Sequence, residues 1–183
     1  MSVVERLHRL SPQEYLDGEL LAEVRHEYVD GQIYAMVGGS RAHNIIALNM
    51  AVALRGHLRG GPCQIFVADM KVRVADAFYY PDVVVNCDVD DRHEYYVARP
   101  VLVAEVLSPA TEARDLLEKR VVYQGLASLR EYVVIAQDKT EVRVYRRRGD
   151  GWELETCRGA DSVCLQSVDL TMSVESVYEG VAH

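Results

Sequence analysis

The sequence predicts an α/β fold, a single domain in which a mixed β-sheet is flanked by helices. Short β-prone runs alternate with stretches of helical periodicity along the chain. The stretch 100–108 is almost unbroken in its apolar character, as a strand covered on both faces would be. The length of 183 residues, with 49% apolar and 26% charged residues, suits one globular domain, here 1–183. Residues 1–24 read as a helical lead-in and 25–183 as the core.

Ser11-Pro12-Gln13-Glu14 reads as a capping box with proline at the first helical position, so a short helix opens there. Two β-prone runs within 25–36 are joined by Asp30-Gly31, a strong hairpin signal. Gly38-Gly39-Ser40 ends the hairpin and caps a long helix over 41–58, with Ile45, Leu48, Ala51 and Val52 at helical spacing on its inner face. Gly60-Gly61-Pro62 stops that helix. Strands follow at 64–74 and 79–86, with a tight turn near Asp76-Ala77, and 88–94 is an acidic loop. After the apolar run, Pro109 breaks the strand and 112–126 reads as a helix. Strands at 131–136 and 141–147 form another hairpin. Strands at 152–157 and 163–165 and a closing helix at 174–178 complete the chain. No repeat, low-complexity tract or linker interrupts this order.

Twenty Lys+Arg against 28 Asp+Glu give a net charge of −8, which argues against coating nucleic acid by bulk charge. A local grip on nucleic acid, with carboxylates kept for a metal, remains compatible. No apolar run approaches the roughly 20 residues of a membrane span, and the start has no signal-peptide pattern. Together with Cys63, Cys87, Cys157 and Cys164, none in a C-x-x-C pair, this predicts four reduced thiols in a cytoplasmic protein and no structural zinc. His26-Glu27 lacks the second histidine of a zinc-protease helix, and neither a P-loop nor a G-x-S-x-G elbow is present.

The informative anomaly is Glu105, inside the otherwise dry run Val101-Leu102-Val103-Ala104-Glu105-Val106-Leu107. An ionised carboxylate loses its hydration there, and a strand built for stability alone would carry an apolar residue. The structural alternative is a carboxylate at a strand end, paired with an arginine. Asp82, in Tyr79-Tyr80-Pro81-Asp82-Val83-Val84-Val85, is the second such acid; a turn preceding a strand is its bland reading. If their strands are neighbours, the two acids converge, and hard oxygens without sulfur suit Mg²⁺ or Mn²⁺. Asp115 and Lys119 lie at i,i+4 on the next predicted helix, so they share a face that reaches back over the strand end; a surface ion pair is the alternative. A two-residue turn between Ala75 and Phe78 would place Lys71 opposite Asp82, as a structural pair or a second cation. Glu27 is a candidate extra ligand or water-orienting acid. His43, near a helix N-terminus, is either a phosphate contact or a satisfied cap. Arg146-Arg147-Arg148, and Arg55 with Arg59, are either solvated faces or phosphate contacts.

On Pro81-Asp82 followed by Glu105, the chain resembles the PD-(D/E)xK restriction-endonuclease-like superfamily, and more narrowly its branch of endonucleases abundant in cyanobacteria. The similarity spans nearly the whole chain. It includes Glu27-Tyr28-Val29-Asp30-Gly31, His43, Tyr80-Pro81-Asp82-Val83, the run from Pro100 through Glu105 to Pro109, and Asp115, Lys119, Tyr123 and Glu131-Tyr132-Val133-Val134. The resemblance implies a restriction-endonuclease-like core, a mixed sheet flanked by helices with the acids at strand ends. It implies Mg²⁺-dependent hydrolysis of DNA phosphodiester bonds, with Mn²⁺ as a substitute, leaving a 5′-phosphate and a 3′-hydroxyl. Asp82 and Glu105 match the two acids of the motif. With the Val106 carbonyl they would hold the metal, and Glu27 and Asp115 would support it. Leu107 stands where the superfamily has its lysine, and Lys119, from the following helix, takes that role. A homodimer would supply two sites for two strands. The alternatives are a non-catalytic nucleic-acid-binding or assembly module of the same fold, and a glycosidase using a carboxylate pair.

Overall fold

A computed structural model of the protein describes residues 9–107 and 118–181. Helix α1 (Pro12–Glu19) is opened by Ser11, whose side chain accepts from the Glu14 N–H while Glu14 reaches back to the Ser11 backbone, the predicted capping box. The predicted hairpin forms as β1 (His26–Val29) and β2 (Gln32–Ala35), turning through Asp30 at φ +51° and Gly31 at φ +81°. Those positive angles suit Asp-Gly, and a side chain on Gly31 would also strike Arg9.

Helix α2 (Arg41–His57) follows, capped by Ser40. Its inner face is Ile46, Ala47, Met50, Ala51 and Leu54, while Leu48 and Val52 are exposed. At 100° per residue, the face predicted from Ile45, Leu48 and Val52 therefore points about 160° away from the observed one. The helix is apolar around more than half its girth, and the row with the longest side chains, Ile46-Met50-Leu54, meets the sheet.

The predicted strands 64–74 and 79–86 each break in two. β3 (Gln64–Val67) and β4 (Lys71–Val74) are separated by Ala68 at φ +56°; β5 (Ala77–Tyr79) and β6 (Val83–Asn86) are separated by Tyr80-Pro81-Asp82. Proline has no N–H to continue a ladder, so the chain crosses here from one sheet to another. β7 (Tyr96–Val97), β8 (Leu102–Leu107), α3 (Arg120–Gln124), β9 (Glu131–Ala136), β10 (Glu141–Arg148), β11 (Gly151–Arg158), β12 (Ser162–Leu165), β13 (Leu170–Ser173) and α4 (Val174–Val177) complete the order. The first part of the predicted helix 112–126 lies outside the described residues. β7 has only two residues, and β13 buries none of its four fully, so neither stood out in the sequence.

Strands β11-β10-β9-β8-β6-β3 form a six-stranded mixed sheet in which only β8 and β9 run parallel. Strands β2-β1-β5-β4-β7 form a second, five-stranded sheet, and β12 pairs with β13. One face of the larger sheet packs Val83, Val85, Leu102, Ala104, Val133 and Ile135 against α2. The other packs Val84, Val103, Leu107, Tyr132 and Val134 against Tyr123 of α3 and Val72 and Tyr79 of the smaller sheet. All six residues of β8 are buried, as the unbroken apolar run predicted. Each fully buried aliphatic side chain contributes roughly 1.5–3 kcal/mol, so a carboxylate at Glu105 forfeits that and needs partners. A third, aromatic cluster holds α1 down: Tyr15 stacks on Tyr28 at 5.0 Å, with Phe78 beside them.

Cys63 and Cys87 form a disulfide, correcting the expectation of four thiols. The register Gln64↔Asn86 across β3 and β6 brings the preceding and following cysteines face to face, which spacing alone could not reveal. Cys157 and Cys164 remain thiols. The acidic loop at 88–94 is organised by Asp91, whose Oδ2 accepts from Asn86 Nδ2, Ala98 N and Arg99 N at 3.2, 2.9 and 2.7 Å. Among the described residues no helix is long and apolar enough to cross a membrane.

Candidate active site at the seam of the two sheets

The site lies where the crossing 80–82 leaves the smaller sheet and enters the larger. In β6 and β8, Val83 faces Ala104 and Val84 faces Val103. One further step in that register sets Asp82 beside Glu105, on the face shared with Val84 and Val103. The backbone ladder stops there, and the Asp82 side chain takes over: its Oδ2 accepts from the Val106 N–H at 2.7 Å. In an extended strand the N–H and C=O of a residue leave on the same edge, so the Val106 carbonyl faces this edge too. The Asp82 carbonyl accepts from Ala68 N at 3.0 Å, tying the β3–β4 break to the β5–β6 break.

Glu105 is 4% exposed and Glu27, on β1 of the other sheet, is equally buried. Lys119 joins them. Its Nζ stands 2.9 Å from Glu27 Oε1 and 3.1 Å from Glu105 Oε1, with the Tyr79 ring centroid 6.0 Å away. Two carboxylates from different sheets thus share one buried ammonium, an arrangement in which mutual attraction offsets the desolvation of all three. Tyr123, one turn after Lys119, donates its hydroxyl to Glu105 Oε1 at 3.3 Å. Burial, then the Glu105 and Glu27 charges, push the Tyr123 pKa well up, so this hydroxyl keeps its proton and remains a donor. The Tyr80 N–H reaches Glu27 Oε1 at 3.3 Å.

His43 approaches from α2, its Nε2 3.2 Å from Asp82 Oδ2. Two neighbours fix it. Ser40 caps its N–H at 3.0 Å and donates its own hydroxyl to Gln137. Gly39 leaves room for the ring, since a Cβ there would lie 2.8 Å from His43 Nδ1.

Five residues singled out in the sequence therefore meet: Asp82, Glu105, Lys119, Glu27 and His43. Asp115 lies outside the described residues. Lys71 does not join them. The turn is Ala75-Asp76, and the register Val72↔Tyr79, Arg73↔Phe78, Val74↔Ala77 sets Lys71 opposite Tyr80 rather than Asp82. Its ammonium lies 5.1 Å from the Tyr80 ring, on the α1 face, and burial pushes its pKa down. The triple arginine is also spent internally. Arg146 binds Glu131 and Glu155, Arg147 binds the carbonyls of Gln124, Leu126 and Leu129, and Arg148 binds Glu153 and Gln166. Arg148 and its partners lie at the surface, as a solvated face would have them, whereas Arg146 and Arg147 are held by buried or part-buried partners that neither reading anticipated. Tyr123 had no role assigned from sequence, although its i,i+4 spacing from Lys119 was visible.

The donor set, Asp82 and Glu105 on neighbouring strands, is hard oxygen. Among the described residues no three His, Cys, Asp or Glu side chains are gathered closely enough to hold an ion. Carboxylate oxygens of this kind are the donor type that Mg²⁺ takes beside waters and substrate oxygens.

The Uma2 family, described as "Putative restriction endonuclease", matches residues 12–175. Two Synechocystis sp. proteins are similar along their lengths. Uncharacterized protein slr1290 is 38% identical over 178 residues, 95% of this chain and 94% of its own. Uncharacterized protein sll1609 is 32% identical over 168 residues, 88% of this chain and 95% of its own. The crystal structure of a putative nuclease belonging to DUF820 from Anabaena variabilis superposes with a TM-score of 0.74 at 18% identity. The match covers 92% of this chain and 97% of that one, so the two share a fold.

Proposed function

Because this chain belongs to the Uma2 family of putative restriction endonucleases, we propose that it is a Mg²⁺-dependent endonuclease hydrolysing DNA phosphodiester bonds. The observation that carries the reading is Glu105, buried in a central strand, bonded to Lys119 at 3.1 Å and in register beside Asp82. Asp82, Glu105 and the Val106 carbonyl are the residues that would hold the ion. A divalent cation there supplies charge to polarise the scissile phosphate.

The protein's own groups do the rest. Lys119 is a point charge with rotatable donors, suited to orient the attacking water and to offset negative charge growing on the phosphoryl oxygens. Tyr123 holds Glu105 in place with a proton it does not give up, and Glu27 holds the ammonium over the strand end. His43 and the Val106 N–H fix the orientation of Asp82. In-line attack breaks the bond to the 3′-oxygen, leaving a 5′-phosphate and a 3′-hydroxyl. Asp115, four residues before Lys119 in sequence, is proposed as a supporting acid, and a homodimer as the form that cuts both strands.

The test is cleavage of varied DNA and RNA with Mg²⁺ or Mn²⁺, beside isothermal titration of each metal. Wild type is expected to cut DNA, to stop in excess EDTA, and to bind the metal more tightly than Asp82→Ala. Equal metal binding by both proteins would overturn the reading, and binding of nucleic acid with no cleavage even in saturating Mg²⁺ or Mn²⁺ would favour the non-catalytic module.

A further inference from the structure

Along the outer edge of the six-stranded sheet, α2 and β3 flank a cavity of about 510 Å³ that no part of the proposed mechanism uses. Arg55 and Arg59 line it together with Val52, Ile65 and Val67, and no acid does. Val52 and Val67 are 62% and 46% exposed. Among the described residues β3 pairs with β6 on one side only, so its outer edge presents backbone donors and acceptors.

Two features distinguish this groove from an ordinary solvated face. The first is charge. In a chain of net charge −8, Arg146, Arg148 and Arg158 are each held by acids. Arg55 and Arg59 have no ion-pair partner among the described residues, and both are exposed. The second is direction. Val67 faces Val83, the neighbour of Asp82, and Ala68 N binds the Asp82 carbonyl at 3.0 Å. The Val67 end of the groove therefore lies on the α2 face, at the sheet end where Asp82 and Glu105 point to the opposite face, and His43 of α2 bridges to Asp82 there. The four residues of β3 lead away from it for about 13 Å, towards the turn that holds Arg59.

We infer that this groove binds the sugar–phosphate backbone of the nucleic-acid strand entering the site. The guanidinium groups of Arg55 and Arg59 take successive phosphates, and the Val52, Ile65 and Val67 wall lies against the sugars. This inference rests on the nuclease reading and adds to it the track of the substrate. A second copy of the chain adding a strand to β3 would compete for the same edge, but it would meet two unpaired cations with a surface of net negative charge, which steers less than a phosphate backbone does.

The experiment uses the full chain carrying Asp82→Asn, in EDTA, with and without Arg55→Gln/Arg59→Gln. Fluorescence anisotropy with a labelled oligothymidylate is followed over a series of salt concentrations. The arginine double variant is expected to bind about tenfold more weakly at low salt. Its plot of log affinity against log salt should be shallower by about 1.4, two contacts at about 0.7 each. Melting temperatures should coincide, because both side chains are exposed. Unchanged affinity and slope overturn the inference. So does unchanged affinity with a lower mass by light scattering, which would make the groove an edge between copies. If neither protein binds the oligonucleotide, the nuclease reading itself fails and takes the groove with it.

Discussion

Two buried clusters of acid and base stand at opposite ends of the six-stranded sheet. At one end Glu131, fully buried, faces Arg146 directly across β9 and β10. Arg146 spends Nε on Glu131 at 2.9 Å, Nη1 on Glu155 at 3.0 Å and Nη2 on the Cys164 carbonyl at 2.6 Å. Glu131 also accepts from the N–H groups of Gln166 and Ser167, which pins the turn 166–168 to the sheet. At the other end Glu27, Glu105 and Lys119 come from β1, β8 and the segment before α3. The first cluster is a planar fork with fixed partners on neighbouring strands, and it secures the fold. The second gathers its members from two sheets around a rotatable ammonium, where strand pairing has broken off. Burial of charge is common to both; the source of the partners separates the cluster that secures the fold from the one proposed to carry the chemistry.

The comparison breaks if the two clusters respond alike. Asp82→Asn and Glu105→Gln are expected to slow single-turnover cleavage about 10³-fold, the several kcal/mol that a metal-held phosphate is worth, while melting temperatures hold or rise. Glu131→Ala should do the reverse. It strands a buried guanidinium and costs roughly 3–5 kcal/mol in urea melts, with cleavage per folded molecule unchanged. A Glu105→Gln protein as destabilised as Glu131→Ala would make both clusters structural.

The same contrast explains what the sequence could reveal. Glu105 was legible because a carboxylate in a six-residue dry strand is costly wherever that strand goes. Asp82 and Lys119 were legible as candidates beside it, since both belong to elements adjacent to β8 in the chain or the sheet. The seam itself was not. Residues 64–74 and 79–86 look like continuous strands, and only the whole fold shows that each serves two sheets. The β4–β5 turn also falls one residue earlier than its sequence suggests, so Lys71 leaves the site, and the Cys63–Cys87 bond depends on a pairing no local pattern declares. The Glu131–Arg146 pair was hidden for a related reason. Both residues lie in strands read correctly, but whether an arginine faces water or an acid depends on what covers the sheet.

A pH series sharpens the structural side further. Glu141 is 3% exposed; burial pushes its pKa up, but bonds from Arg158, Lys139 and Arg143 overcome this and hold it at about 2 rather than 4.5. A carboxyl whose folded pKa is depressed stabilises the protein above its unfolded value and loses that contribution as pH falls. Wild type should therefore lose stability between pH 4.5 and 2 more steeply than Glu141→Gln, by urea melts at each pH. Equal slopes would mean that the Arg158 contact is open to solvent.

The smallest expected effect is at Gly39, which touches the site only through His43. A Cβ there would lie 2.8 Å from His43 Nδ1, so Gly39→Ala should turn the imidazole away from Asp82. The backbone at Gly39 is not in the positive-φ region, so alanine brings no backbone strain, and its stiffer unfolded chain offsets the cost of moving the ring. Asp82 keeps its 2.7 Å bond from the Val106 N–H and is still held in register. Cleavage should fall only about fivefold, the worth of one hydrogen bond, with a shifted His43 ring resonance by NMR. A shifted ring with an unchanged rate would show that the Val106 N–H alone fixes Asp82. It would also make His43 the point where the seam resembles the Glu131 end, a contact that serves the fold and leaves the chemistry alone.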